Sequence, residues 1–162
     1  MKLKKILKIV VSVGAVIFVL IQFVQPERTN PITEQSQTIQ ASLTVPQEVN
    51  NILERACYDC HSNNTKWPFY AYIAPASWLV SHDVTEGREQ LNFSEWGKYR
   101  QSKQIRKLSA IAGEVTDCAM PMPKYVPLHP EAKLTDTDRK IVSDWATING
   151  KKLMGIEGND SK

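Results

Sequence analysis

Residues Ala56-Cys57-Tyr58-Asp59-Cys60-His61 carry the spacing C-x-x-C-H. Two thiols three positions apart match the two vinyl groups of one haem, and the imidazole that follows then lies under the iron as proximal ligand. The other uses of a C-x-x-C pair are a thioredoxin-type redox motif, which needs a βαβ setting, and half of a zinc site, which needs a second ligand pair. Neither setting is present: the remaining thiol is Cys118, and His82 and His129 form no closely spaced histidine pair. The motif occurs once, so one covalent haem c is expected.

Working outward, Val49, Ile52, Leu53 and Ala56 recur at spacings of three and four, which predicts a helix from Pro46 to Ala56, with Thr44 as a possible cap. That helix delivers the motif at its C-terminal end, as class I cytochromes c do. After His61, polar turn residues give way to Trp67, Phe69, Tyr70 and Tyr72 among Pro68 and Pro75. This composition suits either an irregular segment wrapped on a porphyrin or rings that fill a small core. A helix over 76–89 is predicted, with Trp78, Leu79, His82 and Val84 inward, and another over 95–115, capped by Ser94. Pro121 and Pro123 make residues 118–125 a stiff extended loop. A final helix starts in Thr135-Asp136-Thr137-Asp138, buries Ile141, Val142, Trp145 and Ile148, and ends at Asn149-Gly150. The fold class is therefore all-α.

The chain of 162 residues, about one domain, has a net charge of +3, to which Lys2, Lys4, Lys5 and Lys8 alone contribute four positive charges. Without them, 16 basic residues face 17 acidic ones, and the balance gives no reason to expect a nucleic-acid partner. Lys2, Lys4 and Lys5 precede the apolar run Ile6–Val24, which Lys8, Ser12 and Gln22 interrupt, and no small-residue cleavage site follows it. Residues 1–25 are thus expected to be an uncleaved signal anchor, a transmembrane helix with its lysines in the cytoplasm. Residues 26–45, rich in Thr, Gln, Asn and Ser, read as a flexible linker. Residues 46–150 form the haem domain and 151–162 a tail. This arrangement puts a single-pass anchor in the inner membrane and the domain in the periplasm, the side on which thioether attachment occurs in bacteria. Cys118, left over in an oxidising compartment, is expected to be a small buried residue.

The sixth iron position separates an electron carrier from a ligand-binding or peroxide-handling haem. Met120, Met122 and His82 are candidates, with His129 a weaker one. Met120 sits where single-haem class I cytochromes c carry their distal Met, yet an extended strand puts Met120 and Met122 on one face, so spacing alone leaves the choice open. The basic run Lys98, Arg100, Lys103, Arg106 and Lys107 is either a solvated face or a surface that steers an acidic redox partner.

Cys57-Tyr58-Asp59-Cys60-His61-Ser62-Asn63, Thr65-Lys66-Trp67-Pro68, Ala74-Pro75-Ala76-Ser77-Trp78-Leu79, Asp83-Val84, Gly87-Arg88 and Leu91-Asn92-Phe93-Ser94-Glu95-Trp96, followed by Met120-Pro121, Tyr125, His129-Pro130, Ala132, Leu134 and Trp145, resemble the bacterial haem-binding domain family. These are small membrane-anchored or secreted c-type cytochrome domains. The resemblance covers about residues 47–146. It implies a helical cytochrome c-like fold, haem bound through Cys57 and Cys60, iron ligation by His61, and Met120 rather than Met122 as the distal ligand, because the family's Met-Pro pair falls there. Cys118 departs from the family pattern. The expected function is electron transfer with a redox protein partner, without substrate turnover. A c-type haem peroxidase domain and a haem-based redox or gas sensor are the alternatives.

Overall fold

The computed structural model describes residues 2–156, and among these every regular element is helical. The α-helices are α1 (Lys2–Ile21), α2 (Ile39–Ser42), α3 (Gln47–Ala56), α4 (Tyr58–His61), α5 (Ala76–Gln90), α6 (Gln101–Thr116) and α7 (Asp136–Leu153). Single 3-10 turns punctuate the connections, among them Phe69–Tyr72 and Phe93–Lys98. The expected stripe of α3, Val49, Ile52, Leu53 and Ala56, is buried. It packs with Leu108, Ile111 and Val115 of α6, with Val142, Trp145 and Ala146 of α7, and with Phe93 and Trp96. The antiparallel contact of α6 and α7 is the most extensive between helices.

A capping box opens α7. The Thr135 hydroxyl accepts the Asp138 N–H at 3.1 Å, and the Asp138 carboxylate accepts the Thr135 N–H at 2.9 Å. Asp138 also pairs with Arg55 at 2.8 Å, which ties the start of α7 to α3. Partial burial works against the carboxylate charge, but the hydrogen bonds from Thr135 and Arg55 outweigh it and hold the Asp138 pKa below its usual value. The helix does not end at Asn149-Gly150 as expected. Gly150 sits on the contact with α6, where a β-carbon would be 3.8 Å from Leu108. The helix runs on instead to Leu153, and the φ of 72° at Gly155 allows the Ile156 N–H to reach the Lys151 carbonyl at 3.0 Å. Of the expected tail, residues 157–162 lie outside the described residues.

Three other expectations are corrected. The helix predicted over 95–115 is two elements, because Asn92 caps the 3-10 turn through the Ser94 N–H, Trp96 is fully buried, and the Tyr99 hydroxyl accepts the Asn92 N–H. On α5 the inward residues are Ser77, Val84 and Gly87, and Trp78, Leu79 and His82 are exposed. Small residues set that face: a β-carbon on Gly87 would lie 2.6 Å from the Cys60 carbonyl oxygen, so only glycine lets α5 lie against the motif. Cys118 is exposed, with φ at 57°, rather than a buried filler.

The expected flexible linker over 26–45 is docked. Ser81 donates to the Glu27 carbonyl, Arg88 to the Thr29 carbonyl and the Asn30 side chain, and Asn30 to the Thr65 carbonyl. Ile39 is fully buried, and the Trp145 indole N–H reaches the Thr44 carbonyl at 3.1 Å. Apart from the Asn30 side chain, it is the segment's backbone carbonyls that bond it down, and composition does not show these. Before it, α1 buries none of its residues, and its helix ends at Ile21 rather than reaching Val24. Among the described residues no helix is long and apolar enough to cross a membrane. The expected transmembrane span is therefore not met, since four lysines occupy the first two turns of α1.

Candidate functional site

Between α3 and α4, Cys57 leaves helical geometry with φ −127° and ψ −36°. The motif then folds as its own turn, with the Cys60 and His61 N–H groups both donating to the Cys57 carbonyl. His61 Nδ1 lies 2.8 Å from the Gly87 carbonyl oxygen and 3.1 Å from that of Leu91. Both partners can only accept, so Nδ1 carries the proton and Nε2 keeps its lone pair. The acceptors are at the C-terminal, negative end of α5, which makes the imidazole a better electron donor. Burial lowers the His61 pKa, keeping the ring neutral and able to bind a metal.

His61, Cys57 and Met120 line one cavity of about 310 Å³. Its walls are largely apolar, with Leu53, Leu91, Phe93, Ile111 and Val115, and its polar lining includes Gln90, Lys107 and Glu114. Burial, then the charges of Lys103 and Arg106, lowers the Lys107 pKa. Burial pushes the Cys57 thiol up to about 12 and the Cys60 thiol up to about 11. Neither cysteine is in a disulfide. A redox C-x-x-C pair lowers its thiol pKa to make a nucleophile, and this pair does the reverse. Among the described residues no group of three or more His, Cys, Asp and Glu is arranged to hold a metal ion, whereas structural zinc takes four such ligands.

Both backbone polar groups of Met120 are taken: its N–H donates to the Glu114 carbonyl at 3.0 Å and its carbonyl accepts from Arg139 at 2.9 Å. Arg139 also donates to the Val115 carbonyl, so α7 holds the Met120 loop against the end of α6. Met122 lies with Met120 and both motif cysteines around a smaller gap of about 20 Å³, but does not line the large cavity. His82 is exposed and lines neither. His129 is buried with both nitrogens engaged: Nδ1 donates to the Tyr125 carbonyl, and Nε2 accepts from the Tyr70 hydroxyl. Its ring stacks on Tyr125 at 3.8 Å, and the Tyr125 hydroxyl donates to Asp59 of the motif at 2.8 Å. Burial and the nearby Asp59 charge raise the Tyr125 pKa.

Trp67, Phe69, Tyr70 and Tyr72, expected either to wrap a porphyrin or to fill a small core, do not line the large cavity, and Phe69 and Tyr72 point into solvent. Three contributors were not found from sequence. The carbonyls of Gly87 and Leu91 had no signal beyond a glycine inside a helix. The buried chain in which Asn63 accepts from Asn92, and Ser94 from the Asn63 N–H, locks the motif's exit and was legible only as turn residues. Arg139 looked like surface charge.

The donor set fits a haem: an imidazole oriented through Nδ1 with Nε2 free, two protonated thiols at attachment spacing, and a thioether beside a largely apolar cavity. No curated protein and no solved structure matches the chain. The family model for the haem-binding domain does match, over residues 16–148. Covered along most of its length by that match, the chain belongs to the haem-binding domain family and is a haem-binding protein.

Proposed function

We propose that this is a monohaem c-type cytochrome domain that carries electrons on the periplasmic side of the inner membrane, without turning over a substrate. Cys57 and Cys60 hold the haem by thioether bonds, His61 Nε2 is the proximal iron ligand, and the Met120 sulfur is the distal one. The observation that carries this reading is the Nδ1 hydrogen bond of His61 to two carbonyls, which leaves Nε2 available in the cavity that Cys57 and Met120 also line. When bound, the haem iron supplies a one-electron oxidation–reduction couple. His61 contributes basicity, reinforced by the Gly87 and Leu91 carbonyls, and the Met120 thioether favours the reduced state. The walls formed by Leu53, Phe93, Ile111 and Val115 limit water at the site. Lys103, Arg106 and Lys107 offer positive charge to an acidic redox protein partner.

Attachment to the membrane runs through α1, whose apolar side chains all face outward. Its stretch Ile9–Ile21 amounts to about 20 Å of helix, shorter than the ~30 Å hydrocarbon layer. Lys5 and Lys8 then extend their stems toward the headgroups, and Phe23 and Val24 continue the apolar length beyond the helix.

The test is the visible spectrum of the full chain, matured in a bacterial periplasm with haem-attachment machinery, together with denaturing electrophoresis stained for haem. Haem that stays with the denatured chain, low-spin bands and the sulfur-to-iron charge-transfer band are expected. His61→Ala should abolish the low-spin spectrum. High-spin bands in the wild type would favour the peroxidase or sensor reading, and haem lost on denaturation would reject thioether attachment.

A further inference from the structure

Five large apolar side chains, Phe69, Tyr72, Ile73, Trp78 and Leu79, are exposed on the stretch that sequence reading had assigned to the haem or the core. Scattered singly they would need no explanation. Here they share one short run: the 3-10 turn Phe69–Tyr72 leads through Ile73 into α5, and the Ser77 N–H closes onto the Ile73 carbonyl at 2.9 Å.

That run is fastened to the end of α1. Gln22 donates to the Ala74 carbonyl at 3.0 Å and accepts the Ala74 N–H at 2.9 Å, while the Trp78 indole N–H donates to the Val24 carbonyl and the Arg28 guanidinium lies 4.6 Å from the Tyr72 ring centre. The exposed face is therefore continuous with an apolar helix that buries nothing, and it sits where that helix leaves off. The indole N–H of Trp78 is already satisfied, so its ring can enter an apolar medium without stranding a donor. Tryptophan and tyrosine beside the end of an apolar helix are the residues that favour the membrane–water interface.

We propose that the face formed by Phe69, Tyr72, Ile73, Trp78 and Leu79 lies on the lipid surface beside the exit of α1, so that the haem domain is clamped to the membrane rather than tethered at a distance. This rests on the reading of α1 as the membrane attachment. The consequence is a fixed placement of the redox site. Trp78 on the lipid and Gly87 holding His61 are on the same helix, about 14 Å apart along its axis. The partner is then one that reaches a cofactor held at a set height and orientation over the bilayer.

The experiment uses the full haem-loaded chain in vesicles of phosphatidylethanolamine and phosphatidylglycerol doped with a phospholipid bearing a diazirine on its acyl chain. After photolysis, adducts are mapped by mass spectrometry, and hydroxyl-radical oxidation of a parallel sample reports water access. Lipid adducts on α1 and on residues 69–79, with Leu128 and Ile148 oxidised but free of adducts, are expected. Adducts on α1 alone would overturn the proposed surface and leave the attachment standing. Their absence from α1 would remove the attachment and the surface together. Protection of 69–79 from oxidation without lipid adducts would overturn it in favour of a protein cover, such as a second copy of the chain.

Discussion

Residues 62–75 and 117–125 are alike in kind, irregular segments in which prolines separate large apolar side chains, yet they face opposite ways. The second turns Met120 into the cavity and buries Pro121, while the first leaves Phe69 and Tyr72 in solvent. The difference lies in where their backbone groups find partners, since nearly every such group must find one. Met120 is held by Glu114, which lines the cavity at the end of α6, and by Arg139 of α7. In the first segment Ala74 is held by Gln22 and Thr65 by Asn30, so it is drawn along the N-terminal chain and away from the cavity. Composition indicated that both segments would cover something apolar. The hydrogen bonds decide what.

The largest expected effect divides the two methionines of the inward segment. Met120→Ala should lower the reduction potential and open the sixth position, so that carbon monoxide binds the reduced protein at neutral pH. Met122→Ala, which changes the smaller gap and a second one beside Tyr70 and His129 but not the cavity that His61 lines with Met120, should leave both properties close to wild type. Potentiometry and carbon monoxide difference spectra of the two variants read this directly, and the reverse pattern would transfer the ligand role to Met122.

Next in size is the contact that holds the proximal side. Gly87→Ala drives a β-carbon to 2.6 Å from the Cys60 carbonyl and 2.9 Å from its Cβ, where backbone and not a flexible side chain must yield. A loss of about 1–3 kcal/mol is expected from overpacking, measured by denaturant unfolding, with a lower yield of haem-loaded protein because the Gly87 carbonyl also orients His61. An equally stable variant with unchanged haem yield would show that α5 can back away from the motif without cost.

Much of the fold was legible because periodicity and capping act locally. The stripe of α3 and the capped start of α7 within Thr135–Asp138 were legible in the sequence, and the motif and the Met120 loop do meet at one cavity. The failures share a cause. On α5, Trp78 and Leu79 looked inward, but the buried residues are Ser77, Val84 and Gly87, and at Gly87 only glycine allows the close approach to Cys60. In the region 26–45, polar composition was read as solvation, when distant side chains donate to its backbone carbonyls and Asn30 donates to the Thr65 carbonyl. Which residues serve as partners across fifty positions is a tertiary property, with no local pattern to announce it.

A smaller effect tests the capping at the distal side. Thr135→Ala removes the acceptor for the Asp138 N–H and should cost about 1 kcal/mol. Because the Asp138 pKa is lowered in the folded state, its contribution is fully present above the unfolded carboxylate value of about 3.9 and is lost as pH falls through the folded one. The stability gap between Asp138→Asn and wild type should thus be constant near neutrality and close only in acid. A gap that widened in acid would contradict the sign of the shift.

The smallest effect is the sharpest on the outward segment. Phe69 is 79% exposed, so Phe69→Ser removes almost no buried surface, and in detergent solution its stability should stay within about 0.5 kcal/mol of wild type. Had the ring served the core, truncation would cost about 3–5 kcal/mol. A ring that buries little of its surface within its own chain, on a segment whose backbone is stapled to the end of α1, exposes apolar surface at small gain to folding. That is the condition of a side chain whose contact lies outside the chain. Denaturation of the variant in detergent, measured beside its lipid adduct yield in vesicles, separates the two roles: unchanged stability with reduced labelling across 69–79 places the use of Phe69 at the bilayer, and a large loss of stability returns it to the fold.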